Sequence, residues 1–176
     1  MKKQEKNYAY IDWQNFYLGT TKTEWWFKVD LVRFRIYLKD KYKVEKAYYF
    51  LGYLQDDNIK MYTRLQEAGF IVVFKKQVLE SKSKKKWNID SDLIFRVMEK
   101  LIIEPEEFDK IILVSGDWDF KILVDFLLEQ NRFKKILFPS KKYSSSLYKE
   151  LSAKYYDFIV NIRSKIEYKR KGDLKH

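Results

Sequence analysis

Ile111-Ile112-Leu113-Val114 is apolar at every position. A strand with one wet face alternates apolar and polar residues. A strand that does not alternate is buried on both faces, and this occurs mainly in parallel sheets covered by helices on each side. Four other segments read as strands around it. Tyr8 to Ile11 is a short apolar run ending at Asp12, Lys46 to Leu54 is aromatic and apolar, and Phe70 to Phe74 and Lys135 to Phe138 complete the set. Helical periods lie between them. One runs from about Val29 through Leu31, Phe34, Tyr37 and Leu38, and a second carries Met61, Leu65 and Ala68, with Asp57 or Asn58 as cap and Gly69 as stop. Others run from Ile89 to Ile103, Phe120 to Gln130 and Leu147 to Lys154. Strands alternating with helices predict an α/β fold with a parallel sheet and helices on both faces. The expected organisation is one domain over residues 1–165, followed by a basic, mobile tail over 166–176.

A chain of 176 residues that is 46% hydrophobic and 18% aromatic has enough apolar material for a core, which argues against general disorder. No apolar run approaches the roughly 20 residues needed to span a bilayer, so no membrane partner is expected. The opening MKKQEKNYAYID has no apolar stretch of signal-peptide length, and a cytoplasmic location is expected. There is no cysteine, and the single histidine is His176. Thiolate zinc sites, cysteine nucleophiles and histidine-based catalysis are therefore disfavoured. The five glycines form neither a dinucleotide fingerprint nor a phosphate-cradling loop. The formal net charge of +11 favours a polyanionic partner, most simply nucleic acid. The basic clusters are scattered, at Lys2-Lys3, Lys75-Lys76, Lys82 with Lys84-Lys85-Lys86, Lys134-Lys135, Lys141-Lys142 and Lys169-Arg170-Lys171. Such spacing suits contact along a phosphate backbone better than one tight pocket.

In sheets of this kind ligands bind beyond the carboxyl ends of the strands. Two strands end in aspartate there, at Tyr10-Ile11-Asp12 and at Val114-Ser115-Gly116-Asp117, with Asp119 two residues on. If the two strands are neighbours, Asp12 and Asp117 converge. On the helix from Ile89, a step of about 100° per residue puts Asp90 on the same face as Leu93, Ile94, Val97 and Leu101. Asp92 falls roughly 200° away, towards solvent. Carboxylates gathered in one cleft repel each other unless a cation neutralises them. Oxygen donors without His or Cys select a hard ion, Mg²⁺ or Mn²⁺. Such an ion activates water and clamps phosphate oxygens. Each aspartate is also open to a plainer reading as a cap or turn residue, Asp119 in particular as the cap of the helix near Phe120.

Three segments resemble the signatures of the NYN domain family, within the PIN-like nuclease superfamily. They are Tyr10-Ile11-Asp12-Trp13-Gln14-Asn15-Phe16-Tyr17, Lys86-Trp87-Asn88-Ile89-Asp90-Ser91-Asp92-Leu93 and Ser115-Gly116-Asp117-Trp118-Asp119-Phe120. The resemblance spans about Tyr8 to Val160. It implies a Rossmann-like sheet of order 3-2-1-4-5 and metal-dependent RNA cleavage. Carried over by position, Asp12, Asp90, Asp117 and Asp119 correspond to the acidic, metal-holding site. Asn15 corresponds to a residue that orients Asp12 or touches the scissile phosphate, and Ser115 to one that holds an aspartate or the phosphate. Trp13, Trp87 and Trp118 stand where the family usually has glycine or another small residue. Their indoles either narrow the cleft, stack on unpaired bases or simply pack.

The expected function is a metal-dependent endoribonuclease acting on RNA, chiefly single-stranded. Lys84, Lys85, Lys86, Lys141 and Lys142 would seat its phosphates. An RNA-binding or regulatory module with little turnover is the alternative, and a structure-specific DNA nuclease a third reading. Oligomeric state stays open, a homodimer included.

Overall fold

The computed structural model describes residues 4–22, 26–75, 89–141, 148 and 150–169. Six strands form one parallel sheet: β1 Asn7–Asp12, β2 Val44–Leu51, β3 Ile71–Phe74, β4 Lys110–Val114, β5 Phe133–Phe138 and β6 Tyr156–Phe158. Their order is 3-2-1-4-5-6. The expected order of five is present, and β6 extends it at one edge. Three residues with an aspartate in the middle leave no apolar run from which β6 could be read. The helices are α1 Trp13–Thr21, α2 Leu31–Tyr42, α3 Ile59–Glu67, α4 Ile89–Ile103, α5 Lys121–Glu129 and the short α6 Arg163–Ile166.

Side-chain alternation assigns each strand's two faces. Ala9 and Ile11 of β1 join Ala47, Tyr49 and Leu51 of β2 and Ile112 and Val114 of β4 in one apolar cluster. This cluster packs on Phe16 of α1, Phe34 and Leu38 of α2, Leu65 of α3 and Ile166 of α6. Tyr8 and Tyr10 join Tyr48, Phe50, Ile111 and Leu113 in a second, against Leu93 and Val97 of α4 and Leu123, Val124 and Leu127 of α5. Helices therefore cover both faces, as the unbroken apolar runs require. The same parity carries Asp12 and Ser115, the residues next along β1 and β4, to the α4 side.

Local signals explain the helix ends. Asp30 caps α2 by accepting from the Arg33 N–H at 3.1 Å. The stop of α3 is a Schellman turn: the Phe70 N–H donates to the Leu65 carbonyl, the Gly69 N–H to that of Gln66, and Gly69 takes φ +88°. Asn131 plays the same part after α5 at φ 54°, with Asn131 N–H to Leu128 and Arg132 N–H to Leu127.

Three expectations are corrected. Helix α1 was not anticipated, because Gly19, Thr20 and Thr21 are poor helix formers. It is held by the Asp12 cap and by the Thr20 and Thr21 hydroxyls, which donate to the Phe16 and Tyr17 carbonyls. The helix expected over Leu147 to Lys154 is absent among the described residues there. Buried Tyr148 sits in a turn closed by the Leu151 N–H, and Ala153–Tyr155 is a single 3-10 turn leading into β6. Residues 166–168, expected to open a mobile tail, are anchored to the domain. Ile166 is fully buried, Glu167 bridges Val29, and the Tyr168 N–H donates to Lys28 at 2.8 Å.

Asn7 fastens the amino ends of three strands. Its Nδ2 donates to the Tyr42 carbonyl at 2.6 Å, just before β2, and its Oδ1 accepts from the Lys110 N–H of β4 at 3.0 Å. Asn7→Leu is expected to leave the buried Tyr42 carbonyl and the partly buried Lys110 N–H unpaired. At about 1–3 kcal/mol each, the loss is roughly 2–6 kcal/mol, to be read from urea unfolding.

Candidate active site

The carboxyl ends of β1 and β4 lie side by side, and hydrogen bonds lock the loops that leave them. Asp12 is only 5% exposed. Its Oδ1 accepts from the Asn15 N–H at 3.2 Å, capping α1, and its Oδ2 accepts from the Ser115 hydroxyl at 3.0 Å. Ser115 Oγ in turn accepts from the Asp117 N–H at 3.1 Å. The Asn15 side-chain oxygen accepts from the Gly116 N–H at 2.8 Å. Buried Tyr148 closes the arrangement from the far side, its hydroxyl donating to the Asp117 carbonyl at 2.8 Å.

Ser115 therefore holds an aspartate, one of its two expected roles. Asn15 meets Asp12 through its backbone, and its side-chain oxygen positions the Gly116 loop instead. Of the two readings left open for Asp119, the helix cap is not the one its side chain adopts. Asp117 caps the 3-10 turn Trp118–Phe120 that opens into α5, its Oδ1 accepting from the Asp119 N–H at 3.1 Å. The Asp119 side chain lies instead beside Asp90, with which it shares a hydrogen bond. Tyr148 was missed at the sequence level because nothing local marks it. It meets Asp117 from 31 residues away.

Asp90, in the first turn of α4, faces this loop. Asp90, Asp117 and Asp119 each offer a carboxylate oxygen, and the three atoms lie within 4.8 Å of one another. Asp92 is exposed, as its place on the helix predicts. Burial pushes the Asp90 carboxyl up to about 7, helped by the charges of Asp12, Asp117 and Asp119 and a hydrogen bond with Asp119. Burial also raises Asp12, and Asp117 adds to it, against the stabilising hydrogen bonds from Asn15 and Ser115. Four acids are electrostatically coupled, and three of them converge on one point. Asp12 stands beside that trio, more deeply buried. Three carboxylates that resist ionising together, with no nitrogen or sulfur donor among them, fit a hard divalent cation.

The aromatic departures divide. Trp13 is half-buried and packs against Tyr17 and Tyr49, with ring centroids 4.7 and 5.8 Å away. Trp118, between Asp117 and Asp119, is 62% exposed. Of the expected phosphate-seating lysines, Lys141 is exposed, its ammonium 5.3 Å from the Phe158 ring centre. Lys84, Lys85, Lys86 and Lys142, like Trp87, lie outside the described residues. No described helix is long and apolar enough to cross a membrane.

The family model for the NYN domain matches residues 8–160. The chain belongs to the NYN domain family. NYN domains have a PIN-like nuclease fold, and the parallel sheet with an acidic cluster at its carboxyl edge is of that type. A solved structure of a protein of unknown function from Vibrio parahaemolyticus is similar, with a TM-score of 0.74 at 20% identity. The likeness covers 90% of this NYN chain and 95% of that one. At such identity it speaks for the fold. No curated protein sequence matches.

Proposed function

We propose that this NYN domain is a metal-dependent endoribonuclease that hydrolyses phosphodiester bonds of single-stranded RNA. The convergence of Asp90, Asp117 and Asp119 within 4.8 Å is the observation that carries the reading. Asp90, Asp117 and Asp119 would hold a divalent cation, Mg²⁺ or Mn²⁺, with Asp12 adding negative charge from beneath. A bound cation of this kind supplies an activated water and neutralises charge building on the phosphate. Asp12 fixes the β1 exit, Ser115 fixes Asp12 against the Asp117 backbone, and Asn15 and Tyr148 stop the β4 loop from moving. The site is thus arranged before substrate arrives, which is where most of the benefit of positioning lies.

A chain of net charge +11 draws in polyphosphate, and the lysine clusters, Lys84 to Lys86 and Lys141-Lys142 among them, would track the backbone. Incubation with single- and double-stranded RNA and DNA, with Mn²⁺, Mg²⁺ or EDTA, tests the reading. Internal cuts in single-stranded RNA that need a cation are expected. Binding without cutting in every cation would instead make the domain a regulatory RNA-binding module.

Trp118 provides a separate check on how the strand is held. An exposed indole contributes little to folding, so Trp118→Ala should change stability by no more than about 0.5 kcal/mol. If the indole stacks on an unpaired base, affinity for single-stranded RNA falls by about 1–3 kcal/mol. Thermal melting and fluorescence anisotropy on the same samples read both.

A further inference from the structure

A second recess opens where β2 ends, on the other side of the β1 exit from the acids. Its volume is about 210 Å³. A void of about 150 Å³ accepts benzene, so this one suits a single, somewhat larger ring system. Trp13 and Tyr62 give it aromatic walls, and Gln14, Gln55 and Asn58 give it amide groups. At Gly52 the wall is bare: a Cβ placed there meets no atom within 4 Å. Asn58 Nδ2 donates to Gln55 Oε1 at 2.8 Å. The pairing fixes both amides and leaves the Gln55 NH₂ and the Asn58 oxygen uncommitted among the described residues. A donor and an acceptor side by side match the hydrogen-bonding edge of a nucleobase.

The place agrees with the chemistry. Asp12 pairs in register with Phe50, so Gly52 lies one strand spacing across and two residues along from it. That is about 5 Å by about 7 Å. Trp13 follows Asp12 directly and faces the recess. Tyr53, also in the lining, carries the Lys75 ammonium 5.5 Å from its ring centre.

The geometry points to a base-binding subsite, in which Trp13 stacks one unpaired nucleobase and Gln55 and Asn58 read its edge while the adjoining phosphate lies at the acids. The assignment rests on the reading of those acids as the cleavage site. It makes the substrate a strand with at least one base free to swing out, because a paired base cannot enter.

The test is anisotropy of a labelled RNA octamer in EDTA, where nothing is cut. Gly52→Leu fills the recess from a position with room for a side chain. It should weaken binding of the single-stranded octamer about five- to hundredfold, the range of one lost stacking contact. Binding of an octamer of abasic ribose phosphates should not change. Gln55→Ala with Asn58→Ala should keep the stacking but bring the affinities for A, C and U octamers together. Melting curves confirm that each variant is folded. Equal affinity of wild type and Gly52→Leu for the single-stranded octamer overturns the subsite while leaving the cleavage reading intact. Loss of octamer affinity in Gly52→Leu, in a protein that cuts nothing in Mn²⁺ or Mg²⁺, upholds the subsite and removes the cleavage reading instead.

Discussion

Asp117→Asn should abolish cation-dependent RNA cleavage, by about a hundredfold or more, while making the cation-free protein harder to melt. The two halves of this result have one cause. Asp117 is a member of the converging trio, and its charge also presses on Asp12 and Asp90. Replacing even an outer partner of a metal ligand commonly costs 10- to 100-fold, so loss of a direct ligand should cost at least the upper figure. Asparagine keeps the side-chain oxygen that accepts from the Asp119 N–H, so the turn into α5 should survive. Removing one of several repelling charges then stabilises what remains. Relief of 1 kcal/mol would appear as a rise of about 2–4 °C in a domain of this size. Full cleavage by the variant at unchanged cation would place the chemistry elsewhere.

Asp90 should make the cation's effect on stability strongly dependent on pH. Its folded-state carboxyl titrates near 7, above the ordinary aspartate range of an unfolded chain. A raised acid favours the folded state while protonated, so its contribution is fully present below the unfolded pKa. It is lost as pH rises through about 7. The cation-free protein should therefore lose melting temperature between pH 5.5 and pH 8.5, and Asp90→Asn should flatten that loss. A divalent cation requires the ionised carboxylate. Mn²⁺ should thus raise the melting temperature much more at pH 8 than at pH 6, by roughly 2.7 kcal/mol of stability at a hundred times its Kd. Calorimetric scans of wild type and Asp90→Asn, with and without Mn²⁺, check both slopes. A Mn²⁺ effect that is equal at pH 6 and pH 8 would remove Asp90 from the site.

Much of this was legible in the order of the residues. Ile111 to Val114 announced a strand buried on both sides, and the apolar stripe from Leu93 to Leu101 fixed which face of α4 carries Asp90. Asp12 and Asp117 were found because aspartate ended two apolar runs. What could not be read depends on contacts distant in the chain. The Asn15 link to Gly116 joins residues 101 apart, and the Tyr148 link to Asp117 depends on a turn where helix was expected. Trp13 and Trp118 look alike in sequence, each beside an aspartate. As the first residue of α1, Trp13 packs into the layer of Tyr17 and Tyr49, whereas the 3-10 turn holds Trp118 out in solvent. β6 escaped notice because pairing with β5, not its own composition, makes it a strand.

The strand order 3-2-1-4-5-6 also puts β1, which precedes the other five strands in sequence, inside the sheet rather than at an edge. On the ribosome, β1 can pair with β2, and β2 with β3, as soon as they emerge. The other edge of β1, which runs through Tyr8, Ala9, Tyr10 and Ile11, must wait for β4. The Ser115 hydroxyl that finally meets Asp12 comes 103 residues later. At about 5–20 residues per second, that edge stays open for roughly 5–20 s of synthesis. An unpaired apolar edge is a template for the wrong partner. Ribosomes stalled before residue 110 should therefore carry chains that aggregate.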